Sequence, residues 1–317
     1  MPAGVLFSLV AYFLYSCCDA IIKGFGSDLA VFEIAFWTAL FSFLPVIFTK
    51  PKEEKWTDFW HMRHPWLVNL RSISGVIGNM AIIYSFTTIP LAEAYSIAFL
   101  APIFVVFLSV RFLGENVSWT RWMFLAFTFL GVLLVVRPGF RELQLGHLTA
   151  VLASIAGAIT TTLLRKVAPF EKRVSLIGIP LTYTVVINFI LMQPTFEWPT
   201  PTEFALLLTI GAIGGTGNLL FIAATRRVDA SRIAPGQYSQ IAWAIVFGAI
   251  FYSEFPDLVA WLGLAVVAAF GIMNVVNDET RIRIFSRLTA GAGPATVTAE
   301  VQPPIGDPPP RKDDHPA

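Results

Sequence analysis

Long apolar stretches separated by short polar connections extend along most of the chain. Taking about 20 apolar residues as the length that crosses a bilayer, we predict ten transmembrane helices. They run from Val5 to Ile22, Ala30 to Phe48, Ser72 to Ile89, Ala92 to Val110, Trp119 to Val136, His147 to Leu164, Ser175 to Met192, Phe204 to Ala224, Ile233 to Tyr252 and Leu258 to Val276. Several connections are very short, so neighbouring helices are expected to pack as antiparallel hairpins.

A stretch from Gly75 to Trp122 recurs 139 positions later, from Gly214 to Trp261. Rare residues carry the match. A Gly-x-x-Gly-Asn motif ends at Asn79 in the first copy and at Asn218 in the second, and a glutamate follows an apolar run in both copies. Internal repeats determine architecture, so the chain is predicted to consist of two similar halves.

Five helices in each half place the two copies upside down relative to each other. The predicted fold class is an all-α integral membrane protein with ten transmembrane helices, arranged as two inverted five-helix repeats. The first repeat spans 5–136 and the second 147–276, and 280–317 is predicted to be a cytoplasmic interfacial segment followed by a disordered tail. Inverted repeats are typical of secondary transporters that bind substrate near the midplane. A receptor or structural role stays open at this level.

Composition and charge placement agree with a membrane protein. The 317 residues are 56% hydrophobic and 14% charged, with a mean hydropathy of +0.68, whereas soluble domains average roughly a quarter charged residues. The predicted outer connections contain only Lys23, Arg137 and Arg141, and the other Lys and Arg residues fall on the inner side. The positive-inside rule therefore predicts that both termini are cytoplasmic.

One motif carries a family resemblance. The run PLAEAYSIAFLAPIF (Pro90 to Phe104), followed by Glu115 and by a helix ending GVLLVVRPG, resembles the EamA domain of the drug/metabolite transporter superfamily. The second half departs from the pattern, because Asp229 to Ile233 replaces PLAEA and Ile241 replaces Pro102. The resemblance implies ten spans in a bacterial inner membrane and a central cavity for small organic metabolites. The unbroken run is most similar to the branch of riboflavin and S-adenosylmethionine importers.

Polar aromatics and amides on the fourth and ninth predicted helices are the main substrate-binding candidates: Tyr95, Gln237, Tyr238, Gln240 and Trp243. A purely structural helix seldom needs Gln, Tyr and Gln within four residues, although hydrogen bonds between helices are the alternative. This lining suits a planar, polar and largely neutral ring system. Phosphate would call for inward Arg or Lys side chains, so the narrow hypothesis is riboflavin uptake.

Three further polar residues of the spans are weaker substrate-binding candidates. Asn79 and Asn218 either contact substrate or bond between helices that the neighbouring glycines bring close together. Tyr84 on the third predicted helix would add an aromatic face to the pocket, although such single residues are more often involved in packing.

Charged side chains within the spans are candidates for gating or coupling, because a central charge costs roughly 2.5–3.5 kcal/mol on insertion scales. Asp19 could serve as a gate or proton-coupling site, or form a local ion pair with Lys23 four residues on. Glu93 and its repeat counterpart Arg232 could serve as alternate gates on opposite sides, or act only as helix-end charges. Glu33 at the start of the second helix also favours the helix dipole.

The pattern argues against an enzyme. No predicted span contains paired carboxylates, a histidine cluster or a nucleophile triad, and no nucleotide-binding P-loop motif occurs. We therefore expect no cofactor and no metal. The expected partners are a small-molecule substrate and the lipid bilayer, with no nucleic acid and with a homodimer left open. The alternatives are an exporter or exchanger of S-adenosylmethionine, an amino acid or another metabolite, and, in a different class, a non-transporting receptor or assembly protein.

Overall fold

The computed structural model describes residues 3–26, 28–48, 62–113, 117–137, 142–167, 170–225, 227 and 236–275. Within these ranges the regular secondary structure is entirely helical. The helices are α1 (Ala3–Phe25), α2 (Val31–Phe48), α3 (Pro65–Thr88), α4 (Leu91–Ala98), α5 (Ala101–Leu108), α6 (Trp119–Val136), α7 (Leu145–Val167), α8 (Arg173–Met192), α9 (Pro201–Thr225), α10 (Ser239–Tyr252) and α11 (Leu258–Val275).

Most of these helices are suited to cross a bilayer. Seven helical stretches are long and apolar enough to do so. One of them, Leu91–Phe112, consists of α4, α5 and most of the π-helical turn Ser109–Leu113 that follows α5. Three shorter apolar stretches are Val31–Pro45, Ser239–Tyr252 and Leu258–Asn274. The chain is therefore an all-helical, multi-pass membrane protein. The count of ten spans in two inverted repeats stays a prediction.

The fourth predicted span is divided into two helices, which the hydropathy pattern did not indicate. The division falls at Phe99 and Leu100, where the Leu100 N–H donates to the carbonyl of Ile97 at 2.9 Å instead of continuing the α-helical ladder. Pro102 in the first turn of α5 lacks the N–H that would bond the Ala98 carbonyl. The break occurs inside the motif that carries the family resemblance.

The start of the third helix differs from its prediction. It begins at Pro65 rather than Ser72, because Pro65 opens the first turn. Arg71 Nη1 donates to the Leu176 carbonyl at 2.9 Å, which accommodates a charge that hydropathy excluded. Of the ninth predicted helix, the structure describes α10 from Ser239 to Tyr252, and the predicted start at Ile233 lies outside the described residues.

The third predicted helix of each half packs against the first two helices of the other half. Helix α3 packs against α7 and α8, while α9 packs against α1 and α2. The fourth predicted helix of each half likewise contacts the first helix of the other half. The α4–α5 stretch contacts α7, and α10 contacts α1. Interchanging the halves therefore maps these pairs onto one another, which supports the predicted repeat.

The repeated Gly-x-x-Gly-Asn motifs lie at these exchanged contacts. A Cβ atom added at Gly78 would lie 3.1 Å from the Cβ of Ala156 on α7. In the other copy, a Cβ added at Gly217 would lie 3.0 Å from Cε1 of Tyr15 on α1. Both motifs therefore serve close approach of helices from different halves, as small residues commonly do in membranes.

The polar contacts between helix ends form two groups, each at a different set of ends. In one group, Lys23 at the end of α1 bonds the Ile89 carbonyl before α4 and pairs with Glu254 after α10. In the other, Arg71 near the start of α3 bonds the Leu176 carbonyl near the start of α8. The two groups correspond to the predicted outer and inner sides, respectively.

Several predictions fall on residues outside the described ranges. They are the gating role of Arg232, the repeat glutamate Glu115, the interfacial segment and tail over 280–317, and most of the basic connection between the second and third predicted spans. These stay predictions.

Enlarging Gly131 should destabilise the protein, because the backbones of α6 and α11 meet there. A Cβ added at Gly131 would lie 2.9 Å from the Gly263 carbonyl oxygen and 2.9 Å from Cγ2 of Val267. We expect Gly131→Val to cost about 1–3 kcal/mol through overpacking and to lower the Tm of the detergent-purified protein. Ala126→Val, at an exposed position of the same helix, is the matched control. Equal Tm values for the two variants would contradict this close packing.

Candidate functional site

Tyr95 is the centre of a hydrogen-bonded chain that joins the two halves. Its hydroxyl donates to Oδ2 of Asp19 on α1 and accepts a hydrogen bond from Nε2 of Gln240 on α10 at 3.3 Å. Tyr95 and Gln240 are buried, and Asp19 is half-buried. The structure thus brings together three of the predicted site residues, from positions far apart in the sequence.

A row of aromatic rings continues from Tyr95 towards α11. Phe86 lies 5.4 Å from Tyr95, Tyr95 lies 6.3 Å from Phe99, and Phe99 stacks on Tyr238 with ring centroids 4.7 Å apart. The Tyr238 ring lies directly against Gly271 of α11, where a Cβ would collide with it. Tyr238 is therefore a buried stacking residue rather than an exposed lining residue in this conformation.

The remaining ninth-helix candidates lie apart from this chain. Gln237 precedes α10 and is exposed. Trp243 packs edge-on against Phe13 of α1 at 4.7 Å and stacks with Phe247 at 5.9 Å. The predicted cluster of four polar residues is thus divided, because only Tyr238 and Gln240 face the α4 aromatics.

The weaker candidates are also dispersed. Asn79 lines a cavity of about 280 Å³ between α3, the α4–α5 stretch and α7, together with Gly75, Gly78 and Ser154. Asn218 is half-buried on α9, and Tyr84 is half-buried on α3. Among the hydrogen bonds of the described residues, none links the side chain of Asn218 or Tyr84 to Asp19, Tyr95 or Gln240.

Lys23 and Glu254 form a half-buried ion pair at the predicted outer end. Lys23 Nζ lies 2.8 Å from Glu254 Oε1 and also donates to the Ile89 carbonyl at 2.8 Å. Glu254 Oε2 accepts the N–H of Leu91, the first residue of α4, at 3.2 Å. Lys23 therefore pairs across the halves rather than locally with Asp19, which leaves the Asp19 carboxylate to the Tyr95 hydroxyl.

The turn after α10 positions Glu254. Ser253 adopts a left-handed conformation with φ of 54°, and the N–H of Glu254 returns to the Gly248 carbonyl at 2.9 Å, which is a helix-ending arrangement. The Glu254 side chain then lies over Gly248, where a Cβ would be 3.2 Å from Oε2. The local sequence thus directs this carboxylate back towards α1 and α4.

Two further polar contacts lie at the same end. Glu93 Oε2 is 3.1 Å from His147 Nε2 in the first turn of α7, so Glu93 contacts the other half through a partner that sequence reasoning placed only at a helix start. Arg137 pairs with Asp257, and this hydrogen-bonded carboxylate raises the pKa of the Arg137 guanidinium. The role predicted for Glu93 with Arg232 stays untested.

A second cavity of about 290 Å³ lies beside these contacts. Its lining includes Glu93, Glu254 and Asp257, together with Pro90 and Phe255. Contacts that join the halves therefore lie at this end of the helices, beside a small cavity whose lining includes three acidic side chains.

The sequence did not predict the contacts that two residues at this end make. His147 was assigned only to a helix start, and Lys23 was considered only as a partner of Asp19 four residues away. Spacing within one helix detects local pairs, whereas the partner of Lys23 lies 231 positions away. Glu254 did carry a signal, because it repeats Glu115 at the common offset.

Apolar helices that cross-pack between two halves, with a polar chain among them, are the architecture of a multi-pass helical membrane protein. The family model for the EamA-like transporter family matches residues 2–137 and 144–276. The chain belongs to this family, and the predicted resemblance is confirmed.

Curated relatives of similar length carry transporter names. An S-adenosylmethionine uptake transporter of Rickettsia felis is 27% identical over 87% of this chain and 93% of its own. A pseudopaline exporter, CntI, of Pseudomonas aeruginosa is 25% identical over 86% and 96% of the two chains. A riboflavin transporter of Rhizobium johnstonii is 22% identical over 88% and 93%.

A solved crystal structure of a protein shares the fold. It superimposes with a TM-score of 0.61, covering 89% of this chain and 98% of that chain at 16% identity. At this identity the likeness concerns the fold alone.

The Lys23–Glu254 pair should show strong energetic coupling. Its side chains are 10% and 24% exposed, whereas those of Arg137 and Asp257 are 22% and 43% exposed. In a double-mutant cycle with Lys23→Met and Glu254→Gln, we expect a coupling energy of about 0.5–3 kcal/mol in thermal unfolding. Gln keeps an acceptor for the Leu91 N–H, so the cycle isolates the ion pair.

The matched cycle uses Arg137→Met and Asp257→Asn. Exposed ion pairs are screened by solvent, so its coupling should be smaller than that of Lys23 and Glu254. Equal coupling energies in the two cycles would contradict the expectation that the less exposed ion pair is the stronger one.

Proposed function

We propose that the protein is a secondary transporter that moves a small organic metabolite by alternating access between two inverted halves. The observation that carries this proposal is the hydrogen-bonded chain of Asp19, Tyr95 and Gln240, which joins α1 and α4 of one half to α10 of the other. A group bound there contacts both halves, so its binding can favour one arrangement of the halves over another.

We further propose a cationic substrate that carries a ring system, with S-adenosylmethionine as the first candidate. Its sulfonium and ammonium groups suit the Asp19 carboxylate, since Lys23 is paired with Glu254. The rings of Phe86, Tyr95 and Phe99 would suit a flat base beside that charge. The S-adenosylmethionine uptake transporters among the relatives support this choice.

Riboflavin is the second candidate substrate. The amide of Gln240 and the hydroxyl group of Tyr95 suit a neutral, polar ring system, and a riboflavin transporter is among the relatives. Asp19 gives such a substrate no counter-charge to bind, which is why we place it second. Export or exchange of a related metabolite is the remaining alternative, and the pseudopaline exporter supports it.

The cellular setting belongs to the same proposal. We place the chain in a bacterial inner membrane with both termini cytoplasmic, because Lys and Arg concentrate on the predicted inner side. On this basis the contacts of Lys23, Glu93 and Arg137 close the periplasmic side. A homodimer and the assignment of the two repeats to 5–136 and 147–276 stay predictions.

Flux measurements in proteoliposomes test the function. We expect saturable uptake of labelled S-adenosylmethionine by the wild type and a loss of about tenfold or more in Asp19→Asn, because a hydrogen-bonded charge contributes roughly 1.5–3 kcal/mol. The matched control is Asp28→Asn, which makes the same chemical change at an exposed position between α1 and α2 and should transport like the wild type.

The other outcomes discriminate between the alternatives. Saturable movement of riboflavin without S-adenosylmethionine would replace the substrate and leave the transporter proposal standing. Binding of either compound without any flux would favour the receptor class. Full flux of S-adenosylmethionine in Asp19→Asn would remove Asp19 from the site.

A further inference from the structure

Two buried glutamates lie close to the start of the second helix of each half. Glu33 lies in the first turn of α2, just after the α1–α2 connection, and is 1% exposed. Glu171 lies between α7 and α8, and its side chain is also 1% exposed. They are 138 positions apart, within one residue of the repeat offset, although the 139-residue alignment pairs neither with a glutamate.

Each glutamate binds the chain that leads into the exchanged helix of the other half. Glu33 Oε1 accepts the backbone N–H of Glu197, four residues before α9, at 3.3 Å. Glu171 Oε1 accepts the backbone N–H of His64, the residue before α3, at 2.6 Å. The two contacts thus repeat one arrangement with the halves interchanged.

The second carboxylate oxygens are alike as well. Oε2 of Glu33 and Oε2 of Glu171 are both buried, and neither has a hydrogen-bond partner among the described residues. Burying a carboxylate is costly, so the contacts that each glutamate makes to the opposite half must offset part of that cost. For Glu171 these contacts include His64 Nδ1, which lies 3.7 Å from Oε1. Two buried carboxylates in this arrangement, one in each half, indicate a shared role.

The two contacts lie at opposite ends of the helices. Glu33 follows the end of α1, the end at which Lys23 meets Glu254. Glu171 precedes α8, close to the contact between Arg71 and the Leu176 carbonyl. One glutamate therefore acts at the predicted outer side and the other at the predicted inner side.

We propose that Glu33 and Glu171 are a repeat-related pair of positioning residues, each of which fixes the entry of an exchanged helix (α9 or α3) into the opposite half at one membrane face. They act through backbone N–H groups and do not touch the site centred on Tyr95. To hold the exchanged helix, each glutamate has to supply an acceptor oxygen at the end of a side chain of the right length. Its negative charge is not required.

Side-specific thiol labelling of the full chain tests this pair. In a background with Cys17→Ala and Cys18→Ala, one reporter is Leu207→Cys on α9 and the other is Val68→Cys on α3, both at positions that are 0% exposed. Each reporter is combined with Ala, Asp and Gln substitutions of Glu33 and of Glu171. A membrane-impermeant maleimide is then applied to vesicles of both orientations.

We expect a reciprocal pattern. Glu33→Ala should raise labelling at position 207 from one side by about two- to tenfold and leave position 68 unchanged, because removing the acceptor loses a hydrogen bond worth roughly 0.5–1.5 kcal/mol. Glu171→Ala should do the reverse from the opposite side. The Gln variants, which keep the acceptor, should label like the wild type, and the Asp variants, which fall short by one methylene, should label like Ala.

General loosening of the fold would expose both reporters in every Ala variant, and that result would overturn the proposal. So would unchanged labelling in all variants, or Asp variants that match wild type while Gln variants do not. If the Ala variants fail to accumulate in membranes, the comparison of Asp with Gln decides alone. Because labelling needs no substrate, the result is independent of the proposed transport function.

Discussion

The exchange of the third helix between the halves is the constraint on which the rest of the structure depends. In a bilayer there is little hydrophobic force between helices, so close packing and interhelical polar bonds hold them together. Helix α3 places Gly75 and Gly78 against α7, and α9 places Gly214 and Gly217 against α1. Neither half then forms a complete bundle by itself, which means that polar groups can find partners in the opposite half.

The polar contacts follow from that exchange. Asp19, Tyr95 and Gln240 meet where helices of both halves converge, and Lys23 meets Glu254 at one end of the same helices. A charged or polar group in a membrane requires a partner. When the partner lies in the other half, a relative movement of the halves would alter the contact. Asp19 and Lys23 both lie on α1, so such a movement would affect the hydrogen bonds at the centre and the ion pair at the end together.

Hydropathy predicted the positions of most helices. The polar residues of the spans also singled out Tyr95 and Gln240, which the structure brings into hydrogen-bond contact. What the sequence could not provide is long-range pairing. Lys23 was placed with Asp19 because spacing within one helix is visible, whereas the turn that aims Glu254 at Lys23 depends on the left-handed conformation of Ser253. The break at Phe99 was missed for a similar reason, since a uniformly apolar run conceals an interrupted backbone ladder.

The two copies of Gly-x-x-Gly-Asn also explain how duplication can yield a site that is not symmetric. In one copy, Tyr15 and Cys18 of α1 face Gly217 and Gly214. The positions 139 residues later on α7 are Ser154 and Gly157, and these line the cavity of about 280 Å³ beside Asn79. The repeated glycines thus preserve the helix crossing, while the residues facing them decide whether the crossing is filled by a ring or left open. Asymmetry at such crossings requires no change to the repeated scaffold, so substrate preference can diverge while the fold is retained.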